Sequence, residues 1–285
     1  MPQTLVSFHA HPDDEAIQTG GTIARAATAG HRVVLVFATR GEVGEVDDGF
    51  LDPGETLAER RTRECADAAA ILGAARVAFL GYRDSGMAGE PTNDDPDAFW
   101  QADLEEAAGR LAAILVEEDA AVLTVYDERG GYLHPDHIQV HRVGIRAGEL
   151  AGTPRVYEAT ADRDHFIETV ALARATLTDE VAETMGELPD PSEFATNFSP
   201  SHVITTRVDV APYLATKRAA LAAHASQIGE ESFFATMPDD MFALAFGTEW
   251  FIRRGAPEGT SETWLFDPDC PAPAPPSSSR SRWPR

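Results

Sequence analysis

The 285-residue sequence predicts an α/β fold: a Rossmann-like, mostly parallel sheet with helices on both faces, followed by a smaller C-terminal α/β part. Three observations predict it. Short runs rich in branched aliphatic residues alternate with longer segments of helical periodicity through the first half. Those runs are apolar at consecutive positions, as in strands covered on both faces. Glycines (Gly30 and Gly73) follow two of the helical segments, where a left-handed residue ends a helix at least cost.

Taken in order, Leu5-Val6-Ser7-Phe8 reads as a buried strand, and a helix is expected from about Glu15 to Ala29. Val33-Val34-Leu35-Val36-Phe37 is the second strand, followed by a Gly- and acid-rich loop from Gly41 to Gly54. The next helix, about Glu55 to Leu72, sets Leu57, Cys65, Ala68, Ala69 and Leu72 at helical spacing. Val77-Ala78-Phe79-Leu80 is the third strand, and the polar stretch from Arg83 to Asp97 is a loop. Phe99, Leu104, Ala107, Ala108, Leu111, Ile114 and Leu115 mark a helix, and Val122-Leu123-Thr124-Val125-Tyr126 a fourth strand. Pro135 suits the first turn of a helix capped near His134 and running to about Leu150. Later, helices are expected over roughly Asp164–Gly186 and Val210–Ala225, with a strand over Val203–Val208. The organisation read from this is a core over 1–160, a smaller part over 161–270, and a disordered Pro-, Ser- and Arg-rich tail over 271–285.

Composition narrows the function. Hydrophobic residues make up 43% and charged residues 25%, so the chain is globular. A net charge of −24 repels phosphate backbones and anionic headgroups, which argues against nucleic-acid and membrane partners. No run approaches the roughly 18 apolar residues of a membrane span, and Met1-Pro2-Gln3-Thr4 lacks a basic leader region, so a cytoplasmic location is expected. Two distant cysteines, Cys65 and Cys270, do not suggest a disulfide framework, and Cys65 reads as core. No feature specifies an oligomeric state.

Two clusters carry chemistry. His9-Ala10-His11-Pro12-Asp13-Asp14-Glu15 follows the first strand, and Gly130-Gly131-Tyr132-Leu133-His134-Pro135-Asp136-His137 follows the fourth. In open α/β sheets, ligands sit outside the carboxyl ends of the strands where strand order reverses. An order of 3-2-1-4 would make strands one and four neighbours there, so two distant motifs would face one crevice. Two imidazoles and a carboxylate form a set of the catalytic-zinc kind, with a position left open for water. A second carboxylate can take that water's proton. Asp13 and Asp14 are adjacent, so one can ligate while the other faces water; of His134 and His137, one can bind metal while the other reaches substrate. Tyr132 can donate a hydrogen bond to the oxyanion of a tetrahedral intermediate.

Alone, Asp13 and Asp14 could simply cap the next helix, and His134 likewise; two such clusters at equivalent strand ends are hard to explain as caps. His9 and His141 read better as packed or surface histidines. A nucleotide-binding oxidoreductase is disfavoured because the first strand–helix turn lacks Gly-x-Gly-x-x-Gly and carries carboxylates that repel pyrophosphate. A non-catalytic sugar- or metal-binding module is disfavoured because the pair keeps a carboxylate beyond what ligation needs.

His11-Pro12-Asp13-Asp14-Glu15 and His134-Pro135-Asp136-His137 resemble the two signature motifs of the PIG-L/LmbE-like de-N-acetylase family, over about Leu5 to Val143 and, more weakly, Thr205 to Gln227. The resemblance implies a Rossmann-like fold without nucleotide and a zinc-dependent hydrolase acting on the N-acetyl group of an N-acetylglucosamine glycoconjugate. It implies His11, Asp14 and His137 as zinc ligands, Asp13 as general base, His134 as the histidine assisting the tetrahedral intermediate or the leaving amine, and Tyr132 as a mobile residue near the substrate carbonyl. Iron or another divalent metal also suits such ligands. Arg83-Asp84-Ser85-Gly86-Met87-Ala88-Gly89, Asp127-Glu128-Arg129-Gly130-Gly131-Tyr132 and Ala223-His224-Ala225-Ser226-Gln227 are similar to the actinobacterial mycothiol-pathway branch. Its members are a deacetylase of N-acetylglucosaminyl-inositol and an amidase of mycothiol S-conjugates. By that likeness Arg61 and Asp84 hold sugar or inositol hydroxyls; their plain readings are a solvated helix charge and an ordinary loop carboxylate. The stretch from Glu158 to Pro200 departs from both enzymes and is expected to shape substrate choice.

Overall fold

The computed structural model describes residues 1–176 and 196–266. Its first half alternates β1 (Thr4–His9), α1 (Asp14–Thr28), β2 (Arg32–Phe37), α2 (Leu57–Leu72), β3 (Arg76–Phe79), α3 (Leu104–Glu117), β4 (Ala120–Tyr126), α4 (Pro135–Ala151) and β5 (Arg155–Thr160). The remainder adds α5 (Arg163–Thr176), β6 (Thr206–Asp209), α6 (Leu214–Ala223), the short helices α7 (Phe233–Thr236) and α8 (Asp239–Phe246), and β7 (Thr248–Arg253). The seven strands form one sheet in the order β3-β2-β1-β4-β5-β7-β6. The first five run parallel, and β7 is antiparallel to both β5 and β6. The expected 3-2-1-4 arrangement is therefore present, with β1 and β4 side by side.

Successive residues of the central strands feed opposite cores, which is why their sequences are apolar without a break. Leu5, Leu35, Phe37 and Val122 pack with Ile23 of α1, Cys65 and Leu72 of α2 and Leu221 of α6. Val6, Val34, Val36 and Leu123 pack on the other face with Leu111 of α3 and Val140 and Val143 of α4. Each such side chain, fully buried, contributes about 1.5–3 kcal/mol. Helix α4 lies so close to β4 that a Cβ on Gly144 would fall 2.2 Å from Val125 Cγ1, so this helix can sit where it does only with glycine there.

Helix ends follow local chemistry. Thr56 and Glu59 form a reciprocal capping box at the start of α2, and Gly73 ends it at φ 79°. The helix expected from Phe99 starts instead at Leu104, capped by Asp103; Phe99 is buried in a separate 3₁₀ turn. The helix expected from Val210 begins at Leu214, because Ala211–Tyr213, with Pro212, forms a 3₁₀ turn first. The strand expected over Val203–Val208 is displaced to Thr206–Asp209. Helix α5 covers the first part of the Asp164–Gly186 expectation; the rest of it, and the 271–285 tail, lie outside the described residues. Among the described residues no helix is long and apolar enough to cross a membrane.

Candidate active site

The β1–α1 and β4–α4 connections meet at the carboxyl edge of the sheet, beside a cavity of about 910 Å³ that His11, Asp13, Asp14, Arg61, Asp84, Tyr132 and His134 help to line. His11 follows β1, and Asp14 opens α1. Asp14 Oδ2 accepts the His11 backbone N–H at 2.9 Å and lies 3.5 Å from His11 Nδ1. Its other oxygen lies 3.3 Å from His137 Nε2, on the first turn of α4. One ligand atom from each of His11, Asp14 and His137 falls within 4.8 Å of the other two, and all three residues are buried.

The far side of each imidazole shows how these residues fit a cation. His137 Nδ1–H donates to the Gly130 carbonyl at 3.1 Å, leaving the Nε2 lone pair toward Asp14. Gly130 makes this possible: it sits at φ 60°, and a Cβ there would fall 2.4 Å from His137 Cβ. His11 Nε2 donates to Asp136 Oδ2 at 3.1 Å, leaving Nδ1 toward Asp14. Backing of this kind is what metal-binding histidines use to fix their tautomer. Burial pulls His11 toward the neutral form, yet Asp84, Asp136 and Asp14 outweigh it and hold the ring protonated in the metal-free protein. The three carboxylates that favour a proton on His11 also favour a divalent cation, whose binding would displace that proton. Burial likewise pushes the Asp14 carboxyl up, but His137 and His11 hold it well below the usual carboxylate range.

His11, His134 and Asp136 also cluster closely enough to be considered as a set. Their atoms are already committed. Asp136 is fully buried and accepts the Ser85 backbone N–H at 3.0 Å, the Ser85 hydroxyl and His11. His134 caps α4, its Nδ1 accepting the Asp136 N–H at 3.1 Å. The His134 proton therefore sits on Nε2. Burial, with His11 and His137 nearby, lowers its pKa to about 4, so the ring is neutral at pH 7 and serves as a hydrogen-bond donor.

Asp13 stands at the N-cap position of α1, yet its side chain makes no capping hydrogen bond. The plain reading of Asp13 as a helix cap is thereby set aside. Its carboxylate is free for the cavity, 3.4 Å from Arg61 Nη2, and burial, opposed by Arg61, pushes it up to about 6. Tyr132 is half exposed at the rim, its hydroxyl 3.4 Å from His137 Nε2. Arg61 is 3% exposed and donates to the carbonyls of Gly41 and Pro12, so it is not a solvated helix charge. Asp84 accepts from the backbone N–H groups of Gly86 and Val43 and lies 3.4 Å from His11 Nε2. His9 and His141 lie outside the cluster. His9 is buried against Ser7 and Tyr126, and His141 bonds the Tyr126 carbonyl.

Sequence reasoning did not assign Asp136, Ser85, Glu15 or His224. Asp136 lies inside a quoted motif, and its place between two histidines was the available signal. His224 bonds Glu15 across 209 residues, which no local pattern displays.

A mostly parallel sheet with a buried His–Asp–His set and a spare carboxylate at its switch point carries the groups of a metal-dependent hydrolase. The chain belongs to the family described as PIG-L: GlcNAc-PI de-N-acetylase, whose model matches residues 6–148. It is 42% identical over 263 residues to the 1D-myo-inositol 2-acetamido-2-deoxy-alpha-D-glucopyranoside deacetylase of Acidothermus cellulolyticus, covering 88% of this chain and 89% of that one. Among solved structures, the N,N'-diacetylchitobiose deacetylase of Pyrococcus horikoshii aligns with TM-score 0.52 and 23% identity, over 88% of this chain and 83% of that chain. GalB, the 4-carboxy-2-hydroxymuconate hydratase of Pseudomonas putida, aligns with TM-score 0.57 and 20% identity, over 90% and 97%. The shared fold thus spans different reactions, and the site must decide between them.

Proposed function

We propose that this protein is a zinc-dependent de-N-acetylase of an N-acetylglucosaminyl-inositol glycoconjugate. The observation that carries the reading is the buried His11–Asp14–His137 set beside an Asp13 carboxylate released from capping. The relative from Acidothermus cellulolyticus, named for that deacetylation, supports the substrate. Bound zinc would supply Lewis acidity, polarising the amide carbonyl and acidifying a water.

The chain's own groups do the rest. Asp13 takes the proton of the attacking water as its oxygen joins the acetyl carbon. The oxyanion that forms accepts hydrogen bonds from His134 Nε2–H and the Tyr132 hydroxyl. Asp13 then returns its proton to the amine nitrogen as the C–N bond breaks, releasing acetate and a free amine. His134, neutral and donating, assists the intermediate rather than the leaving amine. Arg61 orients Asp13, and Asp84 and Arg61 present polar atoms to the sugar.

A second reading, an amidase for a bulkier conjugate, is favoured by one feature: the same cavity is also lined by the apolar side chains of Phe166, Phe234, Met237, Phe246 and Trp250. Amine release measured on N-acetylglucosamine, N-acetylglucosaminyl-inositol and a mycothiol S-conjugate separates the two. A preference for the inositol glycoside supports the deacetylase; release from the S-conjugate alone replaces it with the amidase.

A further inference from the structure

Asp13 adopts φ 113° and ψ −33°, a conformation that side-chain-bearing residues rarely take and that costs about 1–3 kcal/mol. An aspartate at this position would ordinarily relax to an extended backbone and turn its carboxylate onto the first N–H groups of the helix. Something must oppose that relaxation. The Asp13 N–H donates to Glu15 Oε2 at 2.9 Å, so a side chain two residues ahead holds the strained peptide in place. The other oxygen of Glu15 receives His224 Nε2 at 2.6 Å. Glu15 and His224 are both fully buried, and His224 Nδ1 has no hydrogen-bond partner among the described residues, so the bond to Glu15 is the ring's one hydrogen bond there.

The segment after α6 continues the same work. Ser226 donates its N–H and hydroxyl to Glu64 of α2 at 2.9 and 2.6 Å, three residues beyond Arg61. Gln227 Nε2 donates to the Glu45 carbonyl of the loop beyond β2, at 2.9 Å. Residues 224–227 therefore join α1, α2 and the loop beyond β2.

We propose that Glu15 and His224 are positioning residues: by holding the Asp13 peptide at positive φ, they keep its carboxylate in the cavity instead of on the helix. The kinetic part of this proposal rests on the reading of Asp13 as base; the conformational part does not.

The test compares Glu15→Ala, Glu15→Gln and His224→Leu, each metal-loaded, by steady-state kinetics on N-acetylglucosaminyl-inositol, with a crystal structure of Glu15→Ala. We expect Glu15→Ala to lower kcat on the order of 10²-fold, as misplacement of a reacting group does, with KM and metal content unchanged. Glu15→Gln keeps an acceptor for the Asp13 N–H and should restore most of kcat. His224→Leu, which retains an apolar core, should fall between them and carries the test if Glu15→Ala does not fold. In the crystal, Asp13 of Glu15→Ala should relax to negative φ. Combined with Asp13→Ala, the Glu15→Ala loss should vanish, since a residue acting through Asp13 has nothing left to position. An Asp13 still at positive φ with kcat intact, or a loss that adds in full to Asp13→Ala, overturns the proposal. A relaxed Asp13 with unchanged kcat instead keeps the positioning and removes Asp13 as base.

Discussion

Asp136 Oδ2 lies 3.1 Å from His11 Nε2, behind the face that His11 turns to Asp14. The two residues are 125 positions apart, and the hydrogen bond joins the two motifs of the site directly. It leaves one nitrogen of His11 turned to Asp14, and on the proposed reading Asp136 supports a metal ligand from behind.

Asp136→Asn should therefore weaken metal binding about 10- to 100-fold, the usual consequence of removing a carboxylate behind a ligating histidine. Competition against a chromophoric chelator measures this. An affinity equal to wild type would show that His11 needs no such support.

Asp13→Asn should keep the metal and lower kcat by about 10²- to 10⁴-fold, the range for general acid–base catalysis. Elemental analysis after dialysis, paired with a turnover assay, separates it from His137→Ala, which should lose metal and activity together. Full activity in Asp13→Asn removes it as base.

Lys217 Nζ sits 2.6 Å from Glu249 Oε1, and both side chains are buried. Glu249 also accepts the N–H groups of Gly21 and Thr22, so this one carboxylate ties β7 and α6 to α1. Lys217→Ala leaves a buried charge without its counter-ion and should cost about 3–5 kcal/mol, read from urea unfolding. A cost near zero would mean that water reaches the pair.

Glu118 binds Arg32 and Arg76, joining the end of α3 to β2 and β3. The hydrogen bond from Arg32, outweighing burial, and that from Arg76 hold its carboxyl at about 2, below its ordinary 4.5. Because the folded value is depressed, this stabilisation is present above pH 4.5 and is lost as pH falls toward 2. Its size is on the order of 1 kcal/mol after screening of the half-exposed Arg32. The Tm gap between wild type and Glu118→Gln should shrink between pH 5 and pH 2.5; a constant gap would mean that the charge contributes nothing.

The parallel half of the sheet was legible because strands covered on both faces must be apolar throughout, as in Val33–Phe37. Strands β5 and β7 escaped notice for the converse reason. Arg155-Val156-Tyr157-Glu158-Ala159-Thr160 and Thr248-Glu249-Trp250-Phe251-Ile252-Arg253 place charges among their apolar residues and bury alternate positions. Besides β4 and β6, they pair with each other, about 90 residues apart in sequence, where no local run betrays them. At the site, histidines and carboxylates at two strand ends identified the chemistry. What remained hidden was support from outside those motifs, such as Ser85 on Asp136 and His224 on Glu15, because hydrogen bonds across the fold leave no spacing to read.

On the proposed reading, one metal ion held by His11, Asp14 and His137 drives hydrolysis of an acetamide in this cavity. The most direct measurement is acetate release from N-acetylglucosaminyl-inositol as zinc is titrated into chelator-stripped protein. Release should be nil at zero metal and should rise to saturation at one equivalent per chain, with no response in His137→Ala at that loading. Equal release from stripped and loaded protein, or saturation unaffected by His137→Ala, would contradict it.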